Sequence, residues 1–211
     1  MVDTLEGVDR CSRMINQLLA LSKSDGMAAR SAPMEKLDIQ NTVIDVFSLE
    51  RAHAEFRKVS LTFNDSSSDQ KNSSLASVLL KGYPTAIELL IRNLVNNAIT
   101  YNVPGGEVQV TVACLSTDVD PEKARVRISV MDNGPGIPAD QQALIFNRFF
   151  RAKPNQTKGS GLGLSICKEV AELHGTSIRV CEGIGGHGVG FAFELEGEWI
   201  QPAAANTHSP I

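Results

Sequence analysis

The order of patterned segments in this chain predicts an α+β fold, a two-layer sandwich of a mixed, mainly antiparallel sheet with helices on one face, preceded by one long amphipathic helix. Two observations carry the prediction. Apolar residues recur at three-four spacing through residues 5–22, 39–56 and 85–101, the period of helices with one buried stripe. Short apolar or alternating runs at 59–63, 75–80, 107–114, 125–131, 177–181 and 190–195 read as strands, and two pairs of them are joined as hairpins, one around a loop near Pro121 and one across glycines.

In chain order, the first helix carries a stripe of Val8, Cys11, Met14, Ile15, Leu18, Leu19 and Leu21, too wide to leave wet. Gly26 follows as a C-cap, and 24–33 is small and polar. The chain therefore divides into a helix at 1–24, a hinge at 25–36, a globular domain at 37–197 and a tail at 198–211 that is expected to be disordered. Within the domain, 65–74 is a polar loop, and the helix at 85–101 is the most strongly patterned, through Leu89, Leu90, Leu94, Val95 and Ala98.

A chain of 211 residues can bury one substantial core with room for an appendage. No apolar run approaches the roughly 20 residues that span a bilayer, and 1–21 is amphipathic and charged, unlike a secretory signal, so this chain is expected not to be membrane-spanning itself. A net charge of -4 without any Lys/Arg run disfavours nucleic acid as a partner. Cys11, Cys114, Cys167 and Cys181 are far apart and form no Cys-x-x-Cys pair, which points to reduced core cysteines rather than a metal site.

Three segments carry chemistry. In Asn93-Leu-Val-Asn-Asn-Ala98, Asn93 and Asn97 are four apart on one helix, so their amides share a face, and an amide carbonyl is a hard oxygen ligand suited to Mg²⁺. Asp132-Asn-Gly-Pro-Gly-Ile-Pro138 follows a strand directly, and Gly134 and Gly136 permit the sharp bend there. Gly159-Ser-Gly-Leu-Gly-Leu164 opens a helix-period run through Leu162, Ile166, Val170 and Leu173, which puts glycine N–H groups at a helix N-terminus where phosphates can be held.

Taken in this order, the three segments resemble the catalytic domain of histidine kinases, part of the ATPase superfamily shared with DNA gyrase, heat-shock chaperones and mismatch-repair ATPases. The resemblance covers about 37–195. It implies an ATP-binding domain with Asn97 on Mg²⁺, and Asn93 as its support or a second ligand. Asp132 then accepts from the exocyclic amine of adenine, Gly134 and Gly136 let the backbone approach the ring, and Tyr101 lies against base or sugar. Gly159, Ser160, Gly161, Leu162 and Gly163 become the phosphate cradle. Ile145-Phe-Asn-Arg-Phe-Phe-Arg151 resembles the family's aromatic segment: two of Phe146, Phe149 and Phe150 are expected in the core, Arg148 or Arg151 on the terminal phosphates, and 152–159 as a lid.

The resemblance also implies biology. Hydrolytic relatives carry Glu where this chain has Asn93, and Asn cannot serve as a base for water, so phosphoryl transfer is expected over hydrolysis. Residues 1–24 resemble the second helix of a dimerisation hairpin, implying a homodimer in an intact kinase, a response regulator as partner, and a cytoplasmic placement beneath an inner-membrane sensor. Two features depart from the pattern. Thr100 stands where many relatives have Lys, and no His-Glu-Leu-Arg-Thr-like acceptor segment is present; His53, His174, His187 and His208 have other contexts. A kinase fragment that phosphorylates a histidine elsewhere is the reading expected. A non-catalytic nucleotide-binding regulator, or a hydrolytic ATPase or serine kinase of the same fold, stays open.

Overall fold

The structure, a computed structural model, describes residues 33–65, 78–115, 123–152 and 160–199. The expected helix at 1–24, most of the hinge, all but the first residue of the polar loop, all but one residue of the expected lid and the expected tail from residue 200 on lie outside these residues. Strand β1 (Glu35–Leu37) leads into helix α1 (Ile39–Arg57), β2 (Ser60–Asp65), β3 (Val78–Gly82), α2 (Pro84–Tyr101), β4 (Glu107–Leu115) and β5 (Lys123–Asp132). Helix α3 (Gly163–Leu173), β6 (Arg179–Glu182) and β7 (Val189–Trp199) complete the order.

Among the described residues the strands form one seven-stranded sheet in the order β1-β3-β7-β5-β4-β2, with β6 against β7. Every pairing is antiparallel except β2 with β4, so the sheet is mixed and mainly antiparallel, as expected. One edge of β7 pairs with β5, in register from Lys123↔Glu198 to Met131↔Gly190. Its other edge is shared between β6 at the start and β3 at the end.

Alternation sets which face is covered. On β5, Ala124, Val126, Ile128 and Val130 are buried while the residues between them are not, and the facing positions Val110 and Val112 of β4 are equally buried. Helix α2 lies on this face between α1 and α3 and buries Ile87, Leu90, Ile91, Leu94, Val95, Ala98 and Ile99. Truncating one such side chain, Leu94→Ala for example, costs about 2–5 kcal/mol. Two steps further along the same face of β5 comes Asp132, which is how a carboxylate arrives at the edge of an apolar layer.

Helix boundaries follow local chemistry. Asp38 Oδ1 accepts from the Asn41 N–H at 3.0 Å and starts α1; Lys58, in the left-handed region at φ 57°, ends it. Pro84 opens α2, where its missing N–H costs nothing.

Three boundaries differ from expectation. β1 occupies two residues assigned to the hinge: three residues carry no readable period, and the strand exists because β3 supplies its ladder, from Glu35↔Gly82 to Leu37↔Leu80. β3 runs on to Gly82, two residues past the expected end at 80, because β1 pairs with it there. β7 runs on to Trp199, two residues past the expected domain end, because β3 pairs with it there.

Candidate nucleotide site

Asp132 ends β5 at only 6% exposure. Its Oδ1 accepts from the Gly134 N–H at 2.8 Å and from the Val189 N–H at 3.3 Å. Burial pushes the carboxyl's pKa up, and these two backbone bonds work against that rise. Among the described residues both bonds fall on Oδ1, which leaves Oδ2 for a ligand.

Glycines make this pocket. A β-carbon at Gly188, whose φ is +78°, would collide with the Asp132 carbonyl and stand 2.5 Å from Oδ1. One at Gly183 would also collide with the Asp132 carbonyl oxygen. Gly136, at φ +70°, packs on the Gly188 carbonyl, so the turn after β5 and the β6–β7 connection lean on each other. Sequence reasoning found Gly134 and Gly136 but missed Gly183, Gly188 and the Val189 N–H. The signal was present in the glycine density of 183–190 and was spent on marking a hairpin.

The asparagine pair is assembled differently. Asn93 Nδ2 donates to the Leu89 carbonyl at 2.9 Å, which fixes the amide's orientation and turns its oxygen toward the start of α3. A β-carbon on Gly163 would stand 3.2 Å from Asn93 Oδ1 and 3.7 Å from Asn97 Nδ2, so both amides border the glycine turn. Among the described residues no group of three or more His, Cys, Asp or Glu can hold a metal. Asn93 Oδ1 is an amide oxygen beside a helix N-terminus, a donor that suits Mg²⁺, whose coordination phosphates and waters complete; Asn97 reaches the same turn with its Nδ2.

The glycine turn itself is clasped. Phe149 N–H donates to the Gly161 carbonyl at 2.9 Å, and Gly161, at φ +72°, has room for no β-carbon, with the Phe149 backbone 2.7 Å away. Leu162 is buried beneath, and Ser160 Oγ accepts weakly from its N–H at 3.4 Å. Gly159 lies outside the described residues.

Of the three phenylalanines, Phe146 packs edge-on against Phe191 at 6.2 Å and Phe150 joins the core. Phe149 is 69% exposed with φ +65°, an unusual backbone for a bulky residue. Two therefore serve the core, as expected. Arg148 reaches Glu169 of α3 with Nη2 at 2.8 Å and Nε at 3.2 Å rather than pointing alone into the site. Arg151 is half-buried, and Tyr101 is 39% exposed at the end of α2.

Helix α2 joins the two halves. Asn93 and Asn97 border the glycine turn, whereas the cap residue Asn102 abuts Gly134, roughly 8 Å further along the axis. Asn102 is buried, donates to the Glu107 carbonyl at 3.0 Å and accepts from the Val103 N–H at 2.8 Å, while Asn133 Oδ1 accepts from Glu107 N–H at 2.7 Å. These bonds tie the amide-rich mouth to the start of β4.

His174 has a structural place. His174 donates through Nδ1–H to the Val170 carbonyl at 2.8 Å and accepts at Nε2 from the Tyr83 N–H at 3.0 Å, and burial holds its pKa down. Gly82 admits this ring, since a β-carbon there would stand 2.9 Å from it.

A sheet covered on one face, a buried aspartate at a strand end, and asparagines facing a glycine-opened helix define a nucleotide-binding domain, and the chain belongs to the family of histidine kinase-, DNA gyrase B- and HSP90-like ATPases, which matches over residues 82–198. Within that family its relatives are sensor kinases, so this is an ATP-binding catalytic domain of the sensor histidine kinase type. The chain is 34% identical over 178 residues to the sensor protein QseC of Escherichia coli (strain K12), covering 82% of this chain and 34% of QseC. It therefore spans about a third of the length of the curated relatives it matches. The catalytic domain of histidine kinase ThkA superposes with a TM-score of 0.62 at 27% identity, covering 78% of this chain and 95% of that one. The mycobacterial sensor histidine kinase MprB gives 0.59 at 26% identity, covering 78% and 98%. Among the described residues no helix is long and apolar enough to cross a membrane.

Proposed function

We propose that this chain transfers the γ-phosphoryl group of ATP to a histidine in two-component signalling, and that it does not use water as acceptor. The observation that carries the reading is Asn93. Its side chain borders the glycine turn where a hydrolytic enzyme needs a proton acceptor, and an amide whose Nδ2 is tied to Leu89 cannot accept that proton. Catalysis is then positioning and charge stabilisation.

In this reading Asp132 Oδ2 takes the adenine amine, Gly134 and Gly136 give the ring close access, and Tyr101 flanks base or sugar. Gly159, Ser160, Gly161, Leu162 and Gly163 hold the phosphates with the N–H groups that open α3. Asn97, with Asn93 beside it, is the metal position; Mg²⁺ bound there supplies charge neutralisation on the phosphates. Arg148 and Arg151 serve the terminal phosphates, and Arg148 exchanges Glu169 for them.

The acceptor is a histidine outside the catalytic domain, carried on a dimerisation hairpin to which residues 1–24 contribute, and the phosphoryl group passes on to a response regulator. The domain works on the cytoplasmic side of an inner-membrane sensor. Incubated with labelled ATP and Mg²⁺, the chain alone should acquire no acid-labile phosphate, and a supplied hairpin from a related sensor kinase should become labelled slowly, because docking in trans lacks the effective concentration of a tether. Acid-labile label on His53, His174, His187 or His208 would overturn this account, as would steady phosphate release without any acceptor.

A further inference from the structure

Helix α2 carries a second pair of polar residues that the nucleotide reading does not use. Arg92 and Asn96 precede Asn93 and Asn97 by one residue each, so they lie about 100° around the helix from the ligand-facing pair. Both close on Glu50 of α1. Arg92 Nε donates to Glu50 Oε1 at 2.9 Å, and Asn96 Nδ2 donates to Oε2 at 2.9 Å, with His53 Nδ1 3.4 Å from Oε2 and 3.2 Å from Asn96 Nδ2.

Glu50 is only 4% exposed, in the middle of a helix whose other buried residues are Ile39, Val43, Val46 and Ala54. A lone carboxylate there would be costly, and apolar packing would hold α1 on α2 equally well. Two hydrogen bonds of fixed geometry, to the two oxygens of one anion, resist a roll of α2.

We infer that Glu50 is a positioning residue for the nucleotide site: through Arg92 and Asn96 it sets the roll of α2, and so the placement of the Asn93 and Asn97 side-chain amides beside the glycine turn. The lever is short. An amide oxygen about 6 Å from the helix axis moves about 1 Å for a roll of roughly 10°, and a displacement of about 1 Å at a reacting centre can cost on the order of a hundredfold in rate. Glu50 touches no ligand itself. The inference rests on the metal role proposed above for Asn97.

The test measures ATP affinity by calorimetry with and without Mg²⁺, on the full chain and on Glu50→Gln, Arg92→Lys, Asn97→Ala and the Glu50→Gln/Asn97→Ala double variant. Melting temperatures are recorded for each. Glu50→Gln should reduce the affinity gained from Mg²⁺ by about tenfold, the scale seen when groups that orient metal ligands are changed, while Mg²⁺-free ATP binding stays within about twofold because the adenine pocket is elsewhere. Arg92→Lys should behave in the same direction, and it carries the test if Glu50→Gln does not fold. In the Asn97→Ala background, Glu50→Gln should add nothing to the Mg²⁺ effect.

A fall in melting temperature with the Mg²⁺ gain intact would make Glu50 a structural residue only and overturn the inference. So would additive losses in the double variant. Absence of any Mg²⁺ gain in the unmodified chain would overturn the metal reading first and this inference with it, and is distinguishable because it needs no variant.

Discussion

Replacing Asp132 by asparagine separates what the carboxylate does for the ligand from what it does for the fold. In the folded chain Oδ1 is committed to the Gly134 and Val189 N–H groups, and an asparagine oxygen can keep both bonds. Its NH₂ then occupies the place of Oδ2 and meets the adenine amine donor to donor. The loss is one charge-assisted hydrogen bond, about 1.5–3 kcal/mol, or ten- to hundredfold in affinity for ATP. GTP offers a carbonyl where ATP offers an amine and should lose much less. The fold should respond in the opposite direction. The Asp132 pKa is raised, so its ionised form is disfavoured by folding; the associated stability is present below the ordinary carboxylate range and is lost as pH rises through the raised value. At neutral pH the asparagine variant should therefore melt higher than the unmodified chain while binding ATP less well. Calorimetry with both nucleotides and a thermal melt without ligand decide it. Unchanged ATP affinity, or a lower melting temperature, would refute the assignment of Asp132.

Asn97→Ala should abolish the affinity that Mg²⁺ adds to ATP binding and leave Mg²⁺-free binding nearly intact, as read by titration with and without chelator. Gly188→Ala forces a β-carbon against Asp132 at φ +78° and should destabilise the chain by about 1–3 kcal/mol in denaturant unfolding, with adenine selectivity lost in whatever remains folded. Acid should find the α1–α2 contact early. Burial works to raise the Glu50 pKa, but the hydrogen bonds from His53, Arg92 and Asn96 and the Arg92 charge outweigh it and hold the group at about 2, against an ordinary 4.5. Its contribution, on the order of 3 kcal/mol, is complete above pH 4.5 and should disappear as pH falls from there toward 2; Glu50→Gln should flatten that part of the stability curve.

What could be read from the sequence was what depends on neighbours along the chain. The asparagine pair needed only a helix period, the buried placement of Asp132 follows from alternation along 124–132, and the glycine turn announced itself by the apolar helix behind it. What could not be read depends on partners far off. Glu50 looks like a solvated residue in α1 because Arg92 and Asn96 are 42 and 46 residues away. The floor of the Asp132 pocket comes from glycines some 50 residues downstream, as the Val189 bond at a separation of 57 shows. β1 has no period of its own, and only its pairing with β3 makes it a strand.

The place of β7 has a consequence for how the chain comes into being. It is the last strand in order among the described residues, yet it stands between β3 and β5 near the middle of the sheet. Until it emerges from the ribosome, β1 with β3 and β5 with β4 and β2 are two separate flaps, each with an open edge of the kind chaperones cover. The same segment brings Gly188 and the Val189 N–H to Asp132. A chain that stops short of it has neither a joined sheet nor the Gly188 and Val189 side of the Asp132 pocket, so closing the sheet and completing that pocket are one folding event.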